Sequence, residues 1–446
     1  MNVIFFALVA IAFATAAWHQ LAWDGEGESP MTQLTGGVID AAGGAVELAI
    51  ALIGVMTLFL GLIKVAEAGG LLAILARLIR PLMVRLFPDV PPDHPAMGAM
   101  ILNLSANMMG LGNAATPFGI RAMQALNQLN TRPGTATDSM VLFLAINTSS
   151  VTLLPTGVIA LRAAAGSSDP AGILPTTLFA TLCATVAGIS AAFLFRRLAP
   201  LPPMPATPPP EPEQYDASGS EEPLDVPTPS NTDTTGLPDA VDRPYPGWVS
   251  ALALLGFVAL IPLSVLYGQA IAPWIIPSLV LGFLAFGMLR GVRIYEVFVE
   301  GAKEGFQVAV RIIPYLVAIL VAVGMLRASG ALGAFVALLG PVTGPLGLPP
   351  EALPMALLRP LSGSGAYGIM ASIINDPAIG PDSYVGYLVT TLQGSTETTF
   401  YVLAVYFGAV GVRRLRHALP ACLTADLVAV IAAVIAVGVV FGHAAM

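Results

Sequence analysis

Four short stretches gather amides, hydroxyls and helix breakers inside otherwise apolar sequence. The first is Asn103-Leu-Ser-Ala-Asn107-Met-Met-Gly110-Leu-Gly112-Asn113-Ala-Ala-Thr116-Pro117, and the second is Pro360-Leu-Ser362-Gly363-Ser364-Gly365-Ala-Tyr367-Gly368. The third is Asn147-Thr148-Ser149-Ser150-Val-Thr152-Leu-Leu-Pro155-Thr156-Gly157, and the fourth is Gln393-Gly394-Ser395-Thr396-Glu397-Thr398-Thr399. A helix broken at membrane depth frees N–H groups that suit polar or anionic ligands, and carbonyls that, with hydroxyls, can hold a cation. The expected substrate-contacting set is Asn103, Asn107, Asn113, Thr116, Asn147, Thr148, Ser149, Ser150, Ser362, Ser364, Gln393, Ser395, Thr396, Glu397 and Thr398. For any single Ser or Thr the plainer reading is packing, because small hydroxylated residues let membrane helices approach closely.

Glu397 is the sharpest individual residue, since an ionisable group within a membrane crossing is expensive and defaults to a functional hypothesis. It could contact substrate, bind a proton or pair with Arg359. Glu47, Lys64 and Glu67 rank lower, and Lys64 and Glu67 are read as interfacial residues that snorkel. Asp426 reads as the start of the last helix. No Walker loop, His-Glu-x-x-His pattern or Gly-x-Ser-x-Gly elbow is present. Gly363-Ser364-Gly365 has no base beside it in sequence, so no catalytic residue and no enzyme activity are expected. The four histidines are scattered and the two cysteines, Cys183 and Cys422, sit in separate apolar runs. No metal site, disulfide or cofactor is expected.

The elements that must position these clusters are membrane helices. The 446 residues are 56% hydrophobic and only 10% charged, with a mean hydropathy of +0.80; an ordinary soluble domain carries about 25% charged residues. Uncharged runs at 171–195, 248–266, 269–289 and 427–441 approach or exceed the roughly 20 residues that cross a bilayer. The net charge of −8 comes from nine acids between Glu211 and Asp242, opposed there only by Arg243. That balance points to no nucleic-acid partner. The first apolar run has no preceding Lys or Arg, so it reads as a retained helix ending at Trp18 and Trp23 rather than a cleaved signal.

Residues 199–246 are rich in Pro, Ser, Thr and acids, a composition that reads as a disordered cytoplasmic linker. It separates a membrane half at 1–198 from a second at 247–446. Four blocks recur in the same order in both: Ile39-Asp40-Ala41-Ala42 with Val299-Glu300-Gly301-Ala302, Ala68-Gly69-Gly70-Leu71 with Ser329-Gly330-Ala331-Leu332, Leu104-Ser105-Ala106-Asn107 with Leu361-Ser362-Gly363-Ser364, and Asn147-Thr148-Ser149-Ser150 with Gln393-Gly394-Ser395-Thr396. Arg77, Arg80 and Arg85 in one copy face an uncharged 332–349 in the other, and later Arg162 faces Arg413, Arg414 and Arg416. Since cytoplasmic loops collect Lys and Arg, the copies read as inverted. The expected fold is an all-α polytopic membrane protein of two inverted repeats with about nine crossings. They lie near 3–22, 43–64, 138–161, 171–195, 248–266, 270–289, 306–326, 384–407 and 420–442. Segments 96–128 and 353–374 are expected to enter and return. This map leaves only Arg162, Arg327 and Arg359 off the cytoplasmic side.

Longer strings carry a resemblance. Pro91-Pro-Asp-His-Pro-Ala-Met-Gly-Ala-Met100, Asn107-Met-Met-Gly-Leu-Gly-Asn-Ala-Ala-Thr-Pro-Phe-Gly119 and Phe143-Leu-Ala-Ile-Asn-Thr-Ser-Ser-Val-Thr152 resemble the spore maturation A proteins. Glu300-Gly-Ala-Lys-Glu-Gly305, Arg311-Ile-Ile-Pro-Tyr315, Arg359-Pro-Leu-Ser-Gly-Ser-Gly-Ala366 and Gln393-Gly-Ser-Thr-Glu-Thr-Thr-Phe-Tyr-Val402 resemble the B proteins. The chain thus resembles a fused A–B member of the nucleoside-recognition, or Gate, family. Gly43-Gly44 departs from the Lys-Glu pair usual in A proteins, which puts a charged role there in doubt. The resemblance implies a relation to parts of concentrative nucleoside transporters and ferrous-iron permeases, and an association with spore-core dehydration. It also makes Gln393 and Glu397 look like the base-contacting pair of nucleoside transporters.

The resulting expectation is a transporter or permease of the bacterial cytoplasmic membrane. It would move a small polar solute, nucleoside-like in one version, coupled to a proton or sodium ion. Its other partners are the lipid bilayer and, as an open expectation, further copies of the chain in a homo-oligomer. The alternative is a non-transporting membrane scaffold or regulator of the spore maturation type, which uses the acidic linker for docking. A channel is a third reading.

Overall fold

The computed structural model describes residues 2–110, 115–149, 151–199 and 245–442. Among them every regular element is a helix. The first half provides α1 (Asn2–Leu21), α2 (Pro30–Ala68), α3 (Leu71–Leu86), α4 (Pro95–Met108), α5 (Thr116–Gln128), α6 (Asp138–Thr148), α7 (Thr156–Ala164) and α8 (Leu174–Phe195). The second provides α9 (Gly247–Leu289), α10 (Ile294–Ala328), α11 (Ala331–Thr343), α12 (Leu353–Leu358), α13 (Gly363–Ile374), α14 (Tyr384–Ser395), α15 (Thr399–Gly408) and α16 (Ala418–Phe441). The expected linker lies almost wholly outside the described residues, as do Asn113 and Ser150.

The order from α2 to α8 recurs from α10 to α16. Each series opens with a long helix that stops at a glycine in the left-handed region, Gly70 at φ 88° and Gly330 at φ 80°. A short helix and a helical hairpin follow, then a broken helix, then an unbroken one. The first piece of each broken helix has a hydroxyl cap. Thr137 Oγ1 accepts from the Met140 amide at 3.2 Å, and Ser383 Oγ accepts from the Gly386 amide at 3.0 Å. Such a cap satisfies one of the amides that a helix start leaves free.

The corresponding helices pair with one another and run antiparallel. Along α2 and α10, Gly37 lies against Gly324 and Ala328, Met56 against Gly305, and Lys64 against Gly301. A Cβ on Gly305 would sit 2.7 Å from the Met56 carbonyl oxygen, so the bare glycine is what lets the two backbones touch. On the other side Gly188 of α8 meets Ala425 of α16, while Ala199 beyond the end of α8 meets Arg416 before the start of α16.

Burial follows membrane logic. The inward face of α16 is lined by Ala418, Ala421, Ala425, Ala429, Ala432 and Ala433, whereas Leu427, Ile431, Ile435 and Val439 point outward. Large apolar residues outside and small ones inside reverse the pattern of a helix that faces water. Among the described residues, three helices are individually long and apolar enough to cross a membrane: Pro30–Ala68, Leu174–Phe195 and Ala418–Phe441. Leu316–Ala328 and Ala331–Leu346, bent by 78°, qualify together as a fourth, and shorter apolar helices include Asp138–Thr148 and Gly363–Ile374.

Two expectations are corrected here. The separate crossings 248–266 and 270–289 are one unbroken helix, α9. Gly268 alone costs a helix only about 1 kcal/mol, too little to end it. Asp426 does not start the last helix, which begins at Ala418; it lies two turns inside and is buried.

Candidate functional site

The polar clusters at the two broken helices come together. Both helices have the geometry of half-spans: α6 and α7 hold 11 and 9 residues, α14 and α15 hold 12 and 10. At 1.5 Å per residue each piece covers roughly 15 Å, about half the hydrocarbon core. The breaks touch where the Glu397 amide donates to the Thr148 carbonyl at 2.7 Å. One half thus satisfies a helix-end carbonyl of the other.

Arg359, which follows α12, supports the second break from below. Its side chain is 8% exposed. Nη1 donates to Thr398 Oγ1 at 3.1 Å and Nη2 to the Thr396 carbonyl, with Glu397 Oε2 at 3.8 Å. The expected Arg359–Glu397 pairing is therefore present, and the Glu397 side chain remains 44% exposed. The N-terminus of α13 closes the same corner. Ser362 Oγ caps the Gly365 amide at 3.0 Å, and Gly363 lies so close to Thr398 that a Cβ would fall 2.7 Å from its hydroxyl. Ser364 faces outward and is exposed.

Around the first break, Asn107 Nδ2 donates to Asn147 Oδ1 at 3.0 Å, joining α4 to α6. Thr185 of α8 donates to the Ser149 carbonyl, and the Leu153 amide donates to the Met108 carbonyl at 3.0 Å. Buried oxygens with no hydrogen-bond partner include Thr148 Oγ1, Thr177 Oγ1, Gln393 Oε1 and Asp426 Oδ1 at the breaks, and Asn103 Oδ1 on α4. Unpaired polar atoms in an apolar interior are costly, and their concentration at the breaks is what a ligand would answer.

Other expected site residues have structural duties. Asn103 Nδ2 donates to the Ala115 carbonyl at 2.8 Å and to Tyr406 Oη at 3.4 Å, so it ties the start of α5 to α4 and α15. Thr116 begins α5, and Ser395 Oγ donates back to the Leu392 carbonyl at 2.9 Å.

Two arginine–aspartate clamps were not foreseen. Arg162, which stood alone in its region of the charge pattern, is fully buried. It donates to Asp382 Oδ1 at 2.9 Å, to the Pro381 carbonyl at 2.6 Å and to the Asp169 carbonyl at 3.1 Å, and lies 4.2 Å over the Tyr387 ring. Asp382 also accepts from the Ser168 amide and hydroxyl, both at 2.7 Å, and from Ser167. Burial pushes the Asp382 carboxyl up, but the hydrogen bonds from Ser167 and Ser168 and the Arg162 charge outweigh it and hold it below its ordinary range. At the other end of the site, Arg416 donates to Asp138 Oδ1 at 2.6 Å and to the Ala136 carbonyl at 3.1 Å. It sits at φ 51°, the left-handed region that non-glycine residues rarely adopt. Each loop that follows a broken helix thus grips the start of the broken helix in the other half. The two broken helices therefore run antiparallel, end against start, with their breaks side by side.

Comparison with known proteins agrees with this architecture. The family model for Gate, nucleoside recognition, matches residues 49–165 and 309–413. Each match opens within a long helix, α2 or α10, and closes just past a broken one, α7 or α15. Spore maturation protein B of Bacillus subtilis (strain 168) is 48% identical over 169 residues, covering 38% of this chain and 94% of that protein. The chain belongs to the spore maturation protein family. Spore maturation protein A of the same organism is also 48% identical, over 159 residues, covering 36% of this family member and 80% of the A protein. Matches to both proteins are what a chain joining an A-like and a B-like unit gives. No solved structure matches this spore maturation family member.

Proposed function

We propose that the chain is a multi-pass transporter of the bacterial cytoplasmic membrane. It moves a small polar solute, nucleoside-like in class, by alternating access at the paired breaks of two inverted halves. The observation that carries this reading is the meeting of the breaks at the Glu397 amide and the Thr148 carbonyl, among buried unpaired oxygens. Broken helices crossing at mid-membrane, on repeats related by an axis in the membrane plane, are the usual setting of a secondary-transporter site. The antiparallel pairing of α2 with α10, α6–α7 with α14–α15, and α8 with α16 supports inversion. The nucleoside-recognition description of the matched family supports the solute class.

In this reading Glu397, whose side chain is 44% exposed, contacts the solute while Arg359 Nη2 lies 3.8 Å from its Oε2. Asn107, Asn147, Thr148, Ser149, Gln393, Thr396 and Thr398 line the surrounding wall. Uptake of labelled nucleosides, small organic acids and ions into proteoliposomes tests it, with wild type compared against Glu397→Gln. Wild type is expected to accumulate a polar solute and the variant to lose about tenfold or more of that rate, the equivalent of one charge-assisted hydrogen bond. No flux for any solute in the screen would refute the transporter reading.

A further inference from the structure

The charges beside the breaks do not balance. Asp426 is 6% exposed, in the interior of α16. Thr399 Oγ1 donates to its Oδ2 at 2.6 Å, while its Oδ1 is buried and accepts no hydrogen bond. A carboxylate offers about four acceptor sites, so one hydroxyl leaves it far short of what ionisation in an apolar interior requires. Arg359 is the neighbouring cation; its Nη groups are committed to Thr398 and Thr396, its Nε is buried without a hydrogen-bond partner, and its charge also faces Glu397 at 3.8 Å. One guanidinium thus serves two carboxylates, the 44% exposed Glu397 and the buried Asp426, and one negative charge is left over.

The surrounding helices supply nothing to cancel it. Of those packed on α16, α8 has Cys183 as its one titratable residue. On α6 only Asp138 titrates, and it lies at the far end in the grip of Arg416. The two pieces α14 and α15 bring Tyr384, Tyr387, Tyr401 and Tyr406. On α16 itself Cys422 lies one turn away, and His417 precedes the helix more than two turns away. What does surround Asp426 is oxygen. The Thr399 hydroxyl is bound to it and the Thr396 hydroxyl lies close by. The adjacent Ala425 and the Ser149 hydroxyl meet at Gly188. Thr148 Oγ1 at the same break is buried and unpaired.

We propose that Asp426, with the hydroxyls of Thr399 and Thr396, is a binding site for one monovalent positive charge, a proton or Na+. Hard oxygen donors around a single carboxylate fit either ion. As the coupling ion of a transport cycle this charge rests on the transporter reading, whereas its binding does not. Asp426 lies on an unbroken helix directly against α15, so filling the site neutralises the carboxylate at the point where the second break begins.

Binding is read on the full-length chain in detergent with no solute present. One arm measures retained 22Na+ against choline at constant ionic strength. The other follows the infrared carbonyl band of a protonated carboxyl across pH. Wild type is expected to retain Na+, or to show a carboxyl band that comes and goes with pH, and Asp426→Asn to lose that signal. Thr399→Val keeps the charge and removes one hydrogen bond. It should weaken Na+ retention about tenfold or move the titration midpoint by about one pH unit. If Asp426→Asn does not fold, Thr399→Val decides: a signal identical to wild type overturns the site. A signal that survives in folded Asp426→Asn, or no Na+ retention and no titrating carboxyl in wild type, overturns it equally. Because no solute is involved, absent transport leaves these results standing.

Discussion

Replacing Asp382 by Asn isolates the worth of a cross-half clamp. Arg162 is fully buried, and Asp382 is the carboxylate its guanidinium contacts, at 2.9 Å. Stripping one partner from a fully buried ion pair costs about 3–5 kcal/mol, because the remaining charge stays buried and uncompensated. Two features reduce that figure. The Asp382 side chain is 34% exposed, so solvent already screens part of the attraction. Arg162 also keeps the carbonyls of Pro381 and Asp169 and the face of Tyr387. Asn can still accept one bond from Ser167 or Ser168, and the expected loss is about 2–3 kcal/mol. Thermal unfolding of the purified protein, followed by helicity and by scan-rate-matched inactivation, measures it. The double variant Arg162→Met with Asp382→Asn separates lost attraction from a stranded charge. Removing both partners should recover most of the stability, since an apolar side chain of similar size suits that buried position. An Asp382→Asn protein as stable as wild type, or a double variant worse than Asp382→Asn alone, would refute the clamp.

Acid should release the same clamp without mutation. A carboxyl held below its ordinary range stabilises the fold above its unfolded value, near pH 3.9, and that stabilisation disappears as pH falls through the lower folded value. Wild type should therefore lose more thermal stability than Asp382→Asn on acidification below about pH 4, and equal losses would count against it. Gly394→Val tests the packing of the second break. A Cβ there would sit 2.8 Å from Thr177 Cγ2 and 3.4 Å from Pro155 Cβ. The overpacked variant should be destabilised by about 1–3 kcal/mol in the same melts and should slow uptake, whereas unchanged stability would mean the break has room to spare.

The sequence made the two breaks legible because helix breakers and amides inside apolar runs have few other uses. Thr148, Ser149, Gln393 and Thr396 through Thr398 all lie where those breaks meet. The Arg359–Glu397 pairing was also visible, being a conspicuous opposite charge close by in the chain. What escaped notice depends on contacts across halves. Arg162 and Asp382 are separated by 220 positions, and nothing local to Ser167-Ser168-Asp169 announces that it will wrap an aspartate from the other repeat. Asp426 was misplaced because it directly precedes the uncharged run 427–441, while the true start lies earlier, after His417. The bond from Asn103 Nδ2 to the Ala115 carbonyl was equally hidden, since only the hairpin geometry reveals it.

The reciprocal grip of the two clamps bears on how such a molecule is made. The start of each broken helix is gripped by a loop of the other half, so neither half can complete its own contacts during synthesis. A polypeptide that joins both delivers them in a one-to-one ratio and at an effective concentration that two separately inserted chains would reach only by diffusing together in the bilayer. Early in translation the first half must wait in the membrane with Asp138 unclamped and the Thr148 carbonyl unpaired. Both contacts form only once Glu397 and Arg416 of the second half have been made.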